Sequence, residues 1–276
     1  MAAISNTDYE GEIKAYGDKV IIRTVPTITI NTYSKNKNLT YERPESPSIE
    51  LRIEHGKDFA FTADDVDRTQ SDLKLLDKWS DDASSQMKIS IDRDILGSIY
   101  ADVSAENTGA TAGRISQSYD LGAVAAPIAL TEANILSYIV DMGTVLDEQN
   151  VPEEGRWLIL PAWACGLIKK SELKDASLAG DGTSMLRNGR MGMVDRFTLY
   201  NSNLLAFDVE VVETVNKNAF HIMAGHKSGL TFAAQMTEME TLRNPNQFGD
   251  LVRGLKVFGY EVIKPESIAH LYAYKG

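Results

Sequence analysis

Hydrophobic and polar positions change their period several times along the chain, and each change marks an element. From Val20 to Phe61 the period is two. Thr27-Ile28-Thr29-Ile30 alternates, and Ile49, Leu51 and Ile53 alternate strictly with Glu50, Arg52 and Glu54, which puts one apolar set on one face of a strand. Ser34-Lys35-Asn36-Lys37-Asn38 and Arg43-Pro44-Glu45-Ser46-Pro47 read as turns between these runs. A two-stranded hairpin is marginal on its own in water. The apolar face carrying Leu51 and Ile53 is therefore expected to pack on another chain, with folding back onto its own domain as the plainer alternative. The period then becomes helical: Leu76, Trp79, Ala83, Met87, Ile91 and Ile95 share a stripe, with Asp77, Lys78, Asp81, Asp82 and Lys88 off it. Capped at Ser71 or Asp72 and continued to Tyr100, this helix would be about 45 Å long at ~1.5 Å per residue.

Val103 to Ala126 is rich in Gly, Ala, Ser and Thr and reads as connecting structure. A second helix starts at Thr131, places Ile135, Ile139, Met142 and Leu146 at helical spacing, and ends near Asn150. After the Pro152–Gly155 turn, Trp157-Leu158-Ile159-Leu160 is a short apolar run stopped by Pro161, the mark of a buried strand. Trp163 to Lys170 predicts a third, short helix. Phe197 to Leu204 alternates as a half-buried strand, and Ala206 to Val215 as another, with Phe207, Val209 and Val211 on one side. The last strands, to Tyr274, turn at Lys264-Pro265-Glu266.

Composition narrows the function classes. The apolar fraction is 43% of 276 residues, ordinary for a globular protein. No apolar run approaches the ~20 residues that cross a bilayer. The start, Met1-Ala2-Ala3-Ile4-Ser5, lacks the basic and apolar regions of a signal peptide, which predicts a cytoplasmic product. Cys165 is the single cysteine, so there is no intrachain disulfide or cysteine-rich zinc site. With 28 basic and 39 acidic residues the net charge is −11, which argues against gripping nucleic acid through its phosphates.

Candidate chemistry is sparse. Asp64, Asp65 and Asp67 offer oxygens to a divalent cation but lack the glycine and distal glutamate of a Ca²⁺ loop; acidic residues before a helix suit its dipole better. His221 and His226 with Cys165 or Ser228 are surrounded by no nucleophile signature. The glycines at 180, 182, 189 and 192 are followed by no Gly-Lys-Ser/Thr, so no phosphate loop forms. The residues point to no catalytic set, cofactor or metal.

Three stretches carry a resemblance. Pro152-Glu153-Glu154-Gly155-Arg156 precedes the buried strand, Arg187-Asn188-Gly189-Arg190-Met191-Gly192 follows, and Tyr200-Asn201-Ser202-Asn203 closes the series, with Asp92-Arg93-Asp94-Ile95-Leu96 upstream. In this order they resemble the tailed-phage major capsid proteins of the HK97-like fold, in the branch around the P22 coat protein. The resemblance covers about residues 8 to 276 and implies an α+β fold with an extended E-loop hairpin, a peripheral domain with a long spine helix, and an axial domain. The implied division is a short N-terminal arm and entry strand at 1–19, the E-loop at 20–61, the peripheral domain at 62–126 and 226–276, and the axial domain at 127–225. Asp195-Arg196 departs from the family, which tends to small residues there.

The implied function is self-assembly into an icosahedral shell of hexamers and pentamers around double-stranded DNA. That DNA would be held without sequence-specific contacts, with scaffold, portal or decoration proteins as further partners and no membrane. The implied location is the virion capsid, assembled in host cytoplasm. Expected subunit-contact residues are Leu51, Ile53, Lys35 and Lys37 on the hairpin, and Asp181, Arg187 and Arg190 in a loop facing the local symmetry axis. An encapsulin-like cargo shell is the alternative within the fold. A soluble metal-dependent hydrolase using Asp64, Asp65 and Asp67 is the alternative from another class.

Overall fold

The structure, a computed structural model, describes residues 1, 3–8, 19–23, 28–36, 38, 41–43, 48–64, 75–124, 126–171, 192–212, 214–244 and 248–276. Strands β1 (Lys19–Arg23), β2 (Ser48–Arg52) and β3 (His55–Asp64) precede helix α1 (Leu75–Leu96). Then follow β4 (Ile128–Leu130), α2 (Ile135–Glu148), β5 (Arg156–Leu160), α3 (Ala162–Lys170), β6 (Met193–Val194) and β7 (Phe197–Asn201). The chain finishes through β8 (Phe207–Val212), β9 (Val215–His226), β10 (Leu230–Arg243), β11 (Gly249–Val262) and β12 (Ile268–Lys275).

The largest sheet runs β4-β12-β9-β5-β7-β6, with β8 added to β9. Both its faces are covered, which is why β5 is buried at all five positions. Leu158 and Leu160 turn to the layer of α2 and α3, against Ile139, Met142, Ile168 and Phe197. Trp157 and Ile159 turn the other way, against Ile91, Ile95 and Phe258. A strand with two apolar neighbours has no reason to alternate. The second sheet, β10-β11-β3, is a long antiparallel ribbon. Its register runs from Leu230↔Val262 to Arg243↔Asp250.

Helix α1 buries Met87, Ile91 and Ile95 as its stripe predicts, and Leu96 beside them, while Trp79 stays 40% exposed. It stops at Leu96 rather than Tyr100, giving about 33 Å at ~1.5 Å per residue. At Gly97 an added Cβ would lie 2.9 Å from the Arg93 carbonyl oxygen, and the Ser98 hydroxyl lies 3.0 Å from that of Asp94. A serine that offers the backbone another partner ends a helix readily. The apolar pattern continues only because Ile99 opens a 3₁₀ turn, Ile99–Asp102, and is itself buried. The predicted cap residues Ser71 and Asp72 lie outside the described residues.

The hairpin corrects the sequence reading most clearly. β1 and β2 pair from Lys19↔Arg52 to Arg23↔Ser48, but residues 28–30 form no ladder. Leu51 and Ile53 are not left uncovered: both are fully buried with Val20, Ile22, Ala233 and Val257 of their own chain. The cover comes from β10 and β11, and Gly259 admits it, since a Cβ there would lie 2.3 Å from the Arg52 carbonyl oxygen. Ile53→Val is therefore expected to lower the stability of the unassembled subunit by about 0.5–1.5 kcal/mol in chemical denaturation. A residue covered only by a neighbour would show no such loss before assembly.

The last strand joins the larger sheet. β12 falls within the segment assigned to the peripheral domain, yet it pairs with β9 along Ile268↔Gly225 to Tyr274↔Ala219 and with β4 in parallel. It belongs to the larger sheet. The connecting segment is anchored there too, because buried Asn107 donates to the carbonyls of Glu266 and Ile268 at 2.8 and 2.9 Å.

Candidate functional site

Two buried polar arrangements position the outer surface of the larger sheet. The first explains Pro152–Arg156. Gly155 takes φ 81°, a conformation open to glycine, and Arg156 then turns inward with its side chain fully buried. Its guanidinium donates to the carbonyls of Pro152 at 2.9 Å, Val151 at 2.7 Å and Gly143 at 3.3 Å, and to the Asp147 carboxylate at 2.7 Å. One side chain thereby ties the end of α2 to the start of β5. Asp147 also accepts from Arg196 at 2.8 Å, and Arg196 reaches Glu153 at 3.2 Å. Burial pushes the Asp147 carboxyl upward, but the bonds from Arg156 and Arg196 outweigh it and hold the group below the usual carboxylate range.

The departure at Asp195-Arg196 is thus explained within the subunit. Both residues have positive φ, 44° and 64°, and they join Val194 to Phe197 across the β6–β7 ladder. That is the two-residue hairpin turn whose twist matches its strands. Its second residue carries the arginine that doubles the charge around Asp147.

The second arrangement is a chain of hydrogen bonds on the opposite face of the sheet. Asp208 Oδ2 lies 3.0 Å from His221 Nε2, His221 Nδ1 lies 2.9 Å from His270 Nε2, and His270 Nδ1 lies 2.8 Å from Thr108 Oγ1. A carboxylate only accepts, and a neutral imidazole donates from one nitrogen and accepts at the other. The direction is then fixed: Thr108 donates to His270, His270 to His221 and His221 to Asp208. Burial lowers the pKa of His221 despite Asp208. Burial, then the neighbouring His221, brings His270 down to about 3. Tyr100 stacks on His221 at 3.7 Å between ring centres, and Tyr272 donates to Glu210 at 2.9 Å. Burial first, then the carboxylates of Glu210 and Asp208, raises the Tyr272 hydroxyl above the usual phenol range. The network joins the turn after α1, the connecting segment and strands β8, β9 and β12.

None of this is catalytic geometry. Cys165 is buried, with its thiol pushed up by that burial. His226 Nδ1 takes both the Ser228 hydroxyl at 2.8 Å and the Ser228 backbone N–H at 3.2 Å, which closes a tight turn. Among the described residues no group of three or more His, Cys, Asp or Glu could hold a metal ion, and no helix is long and apolar enough to cross a membrane.

Of the expected contact residues, Leu51 and Ile53 are internal, and Lys35 is exposed on a turn whose Asn36 has φ 68°. Lys37, Asp181, Arg187 and Arg190 lie outside the described residues, as do Asp65 and Asp67. Beyond the β1–β2 ladder, Ile30, Tyr33 and Tyr41 are 80–90% exposed, more apolar surface than a short segment normally gives to water. Asp147, Thr108, Asp208 and His270 were not singled out by the sequence reading, and Arg196 only within the Asp195-Arg196 departure.

A family described as "Phage capsid protein" matches residues 48–271, from β2 into β12. The chain matches no curated protein sequence. Among solved structures, it is similar to one from Mycobacterium phage Che8, at 22% identity and a TM-score of 0.71, over 98% of this chain and 89% of that one. It is also similar to the capsid of the cyanophage P-SCSP1u, at 15% identity and 0.70, over 95% and 85% of the two chains. The capsid of Ralstonia phage GP4 aligns at 10% identity and 0.64, over 99% and 87%. The fold is that of phage capsids, HK97-like, without selecting the branch around the P22 coat protein.

Proposed function

Because the chain belongs to the phage capsid protein family, we propose that it builds a shell of hexamers and pentamers around packaged double-stranded DNA. It is a major capsid protein, a structural rather than enzymatic component of the virion. The observation that carries this is the family match from β2 into β12 on a fold shared with phage capsids over nearly the whole chain. The acidic balance, −11, suits an inner wall that repels the packed duplex instead of adhering to it.

In this reading the subunit keeps a peripheral part, built on α1 and the β10-β11-β3 sheet, and an axial part built on the larger sheet. The arm that carries the exposed Ile30, Tyr33, Lys35 and Tyr41 reaches a neighbouring subunit, with Lys37 among its contact residues, and Leu51 and Ile53 hold its root from inside. Asp181, Arg187 and Arg190 face the local symmetry axis. Assembly takes place in the host cytoplasm, with scaffold, portal or decoration proteins as partners.

Electron microscopy of the purified protein tests the reading. Closed shells are expected, and discrete small particles under all assembly conditions would overturn it. What fills shells made during infection separates the two uses of one fold: packaged DNA is expected, and a copurifying cargo enzyme in its place would indicate a cargo shell.

A further inference from the structure

We propose that the Asp208–His221–His270–Thr108 chain is a proton relay: it takes one proton from solvent by reversing its hydrogen bonds, and the charge comes to rest on His221. The proposal concerns the folded subunit and does not depend on the shell-forming reading.

The atoms permit the reversal. In the neutral chain every hydrogen bond runs toward Asp208, so the ring nitrogens without a proton are the two Nδ1 atoms. His221 Nδ1 is covered by the N–H of His270 at 2.9 Å. His270 Nδ1 instead faces the hydroxyl of half-buried Thr108 at 2.8 Å, and a hydroxyl can turn from donating to accepting. A proton therefore enters at His270 Nδ1, forming one N–H bond. The Nε2–H bond of His270 then breaks, and its proton crosses the 2.9 Å hydrogen bond to form an N–H bond at His221 Nδ1. One proton is gained and no electrons are transferred. His221 becomes an imidazolium, and His270 ends neutral, donating from Nδ1 to Thr108 and accepting at Nε2 from His221. Every hydrogen bond of the chain is kept.

Charge decides where the proton stops. Asp208 of β8 lies 3.0 Å from His221 Nε2 and favours the charged ring there. The ring nitrogens of His270 meet only Thr108 and His221, and burial with His221 brings His270 down to about 3. The remaining groups around the pair do not alter that order. Glu210 of β8 is bonded to Tyr272 at 2.9 Å and stands opposite Lys217 of β9. The turn after α1 contributes the Tyr100 phenol and β12 the Tyr272 phenol. A second proton is refused, because both facing nitrogens would then carry hydrogens across 2.9 Å.

The reversal links segments far apart in sequence. Once charged, His221 forms an ion pair with Asp208 on β8. At the other end Thr108 accepts instead of donating, and its hydrogen is freed for another acceptor. One proton is thereby felt both by β8 and by the connecting segment, which Asn107 ties to the carbonyls of Glu266 and Ile268. Burial lowers the pKa of His221 despite Asp208, which sets the step below the ordinary histidine value near 6.5.

Nitrogen-15 NMR of the full chain as unassembled subunit, labelled at histidine, reads the protonation of each ring nitrogen, with His221→Gln and His270→Gln assigning the signals. At neutral pH both rings are expected to carry their proton on Nε2. On acidification, while circular dichroism still reports the folded subunit, His221 should become an imidazolium. His270 should move its proton from Nε2 to Nδ1 at the same midpoint. Asp208→Asn keeps an acceptor for His221 but removes the carboxylate, and should lower that midpoint by about one pH unit, a tenfold loss of proton affinity. An imidazolium at His270, or a His270 that keeps its Nε2 proton while His221 titrates, would overturn the relay. So would an unmoved midpoint in Asp208→Asn, or a pair that takes up no proton before the unsubstituted subunit unfolds.

Discussion

Arg156→Met is expected to cost the subunit about 3–5 kcal/mol, because it takes the donor away from three carbonyls at once, at about 1–3 kcal/mol for each buried acceptor left unpaired. Methionine fills much of the space but donates nothing. The carbonyls of Gly143, Val151 and Pro152 lose their guanidinium donors, and Asp147 keeps only Arg196. A domain has about 5–15 kcal/mol in total, so the loss is a large fraction, worth roughly 10 °C in Tm at about 2–4 °C per kcal/mol for a chain near this size. Arg156→Lys should recover little, because an ammonium on a flexible stem cannot reach acceptors spread around a planar fork. Asp147→Asn isolates the charge component: in a double-mutant cycle with Arg156→Met the two losses should fall well short of additive. A loss below about 1 kcal/mol for Arg156→Met would mean that the pair behaves as a surface contact and does not fasten α2 to β5.

The legibility of the sequence follows from where each element's neighbours lie. α2 and β5 were readable because their periods are undiluted: Ile135, Ile139, Met142 and Leu146 are all buried on one helix face, and β5 is apolar wherever it can be. The end of α1 was not, because Ile99 continues the stripe although the backbone has left the α-helix. The hairpin misled for a different reason. Its cover, Ala233 and Val257, is distant in sequence, and alternation says only that a face must be covered, not by which chain. The same limit applies to the polar networks. Arg156 stood out within its motif, and Asp147 is only nine residues before it. His221 and His270 are 49 residues apart and are joined solely by the β9–β12 register, which no local pattern encodes. Conversely, the alternation of Phe207, Val209 and Val211 was visible at once, but not that their side faces outward.

Acidification from pH 7 to pH 5 is expected to destabilise the unassembled subunit by about 2 kcal/mol through His270 alone. The sign follows from proton binding. An unfolded histidine titrates near 6.5, whereas in the fold burial and His221 bring His270 down to about 3. Below about 6.5 the unfolded chain therefore holds a proton that the folded chain excludes, so stability falls as pH falls, at about 1.36 kcal/mol per unit. His221, also lowered, acts in the same direction. The opposing influences around the pair are few: Asp208 from β8 favours a charged His221, while Tyr100, Tyr272 and Thr108 contribute no full charge. Asp147 does not confuse the measurement. Its carboxyl is held below the usual range, so the stability it adds is present above an unfolded value near 3.9 and is lost only as pH falls further, through its lowered folded value. His270→Gln keeps a donor and an acceptor without an ionisable ring, so chemical denaturation should show most of the loss between pH 7 and 5 disappear. If the variant and the unsubstituted subunit lose stability in parallel over that interval, the histidine pair is not what excludes the proton.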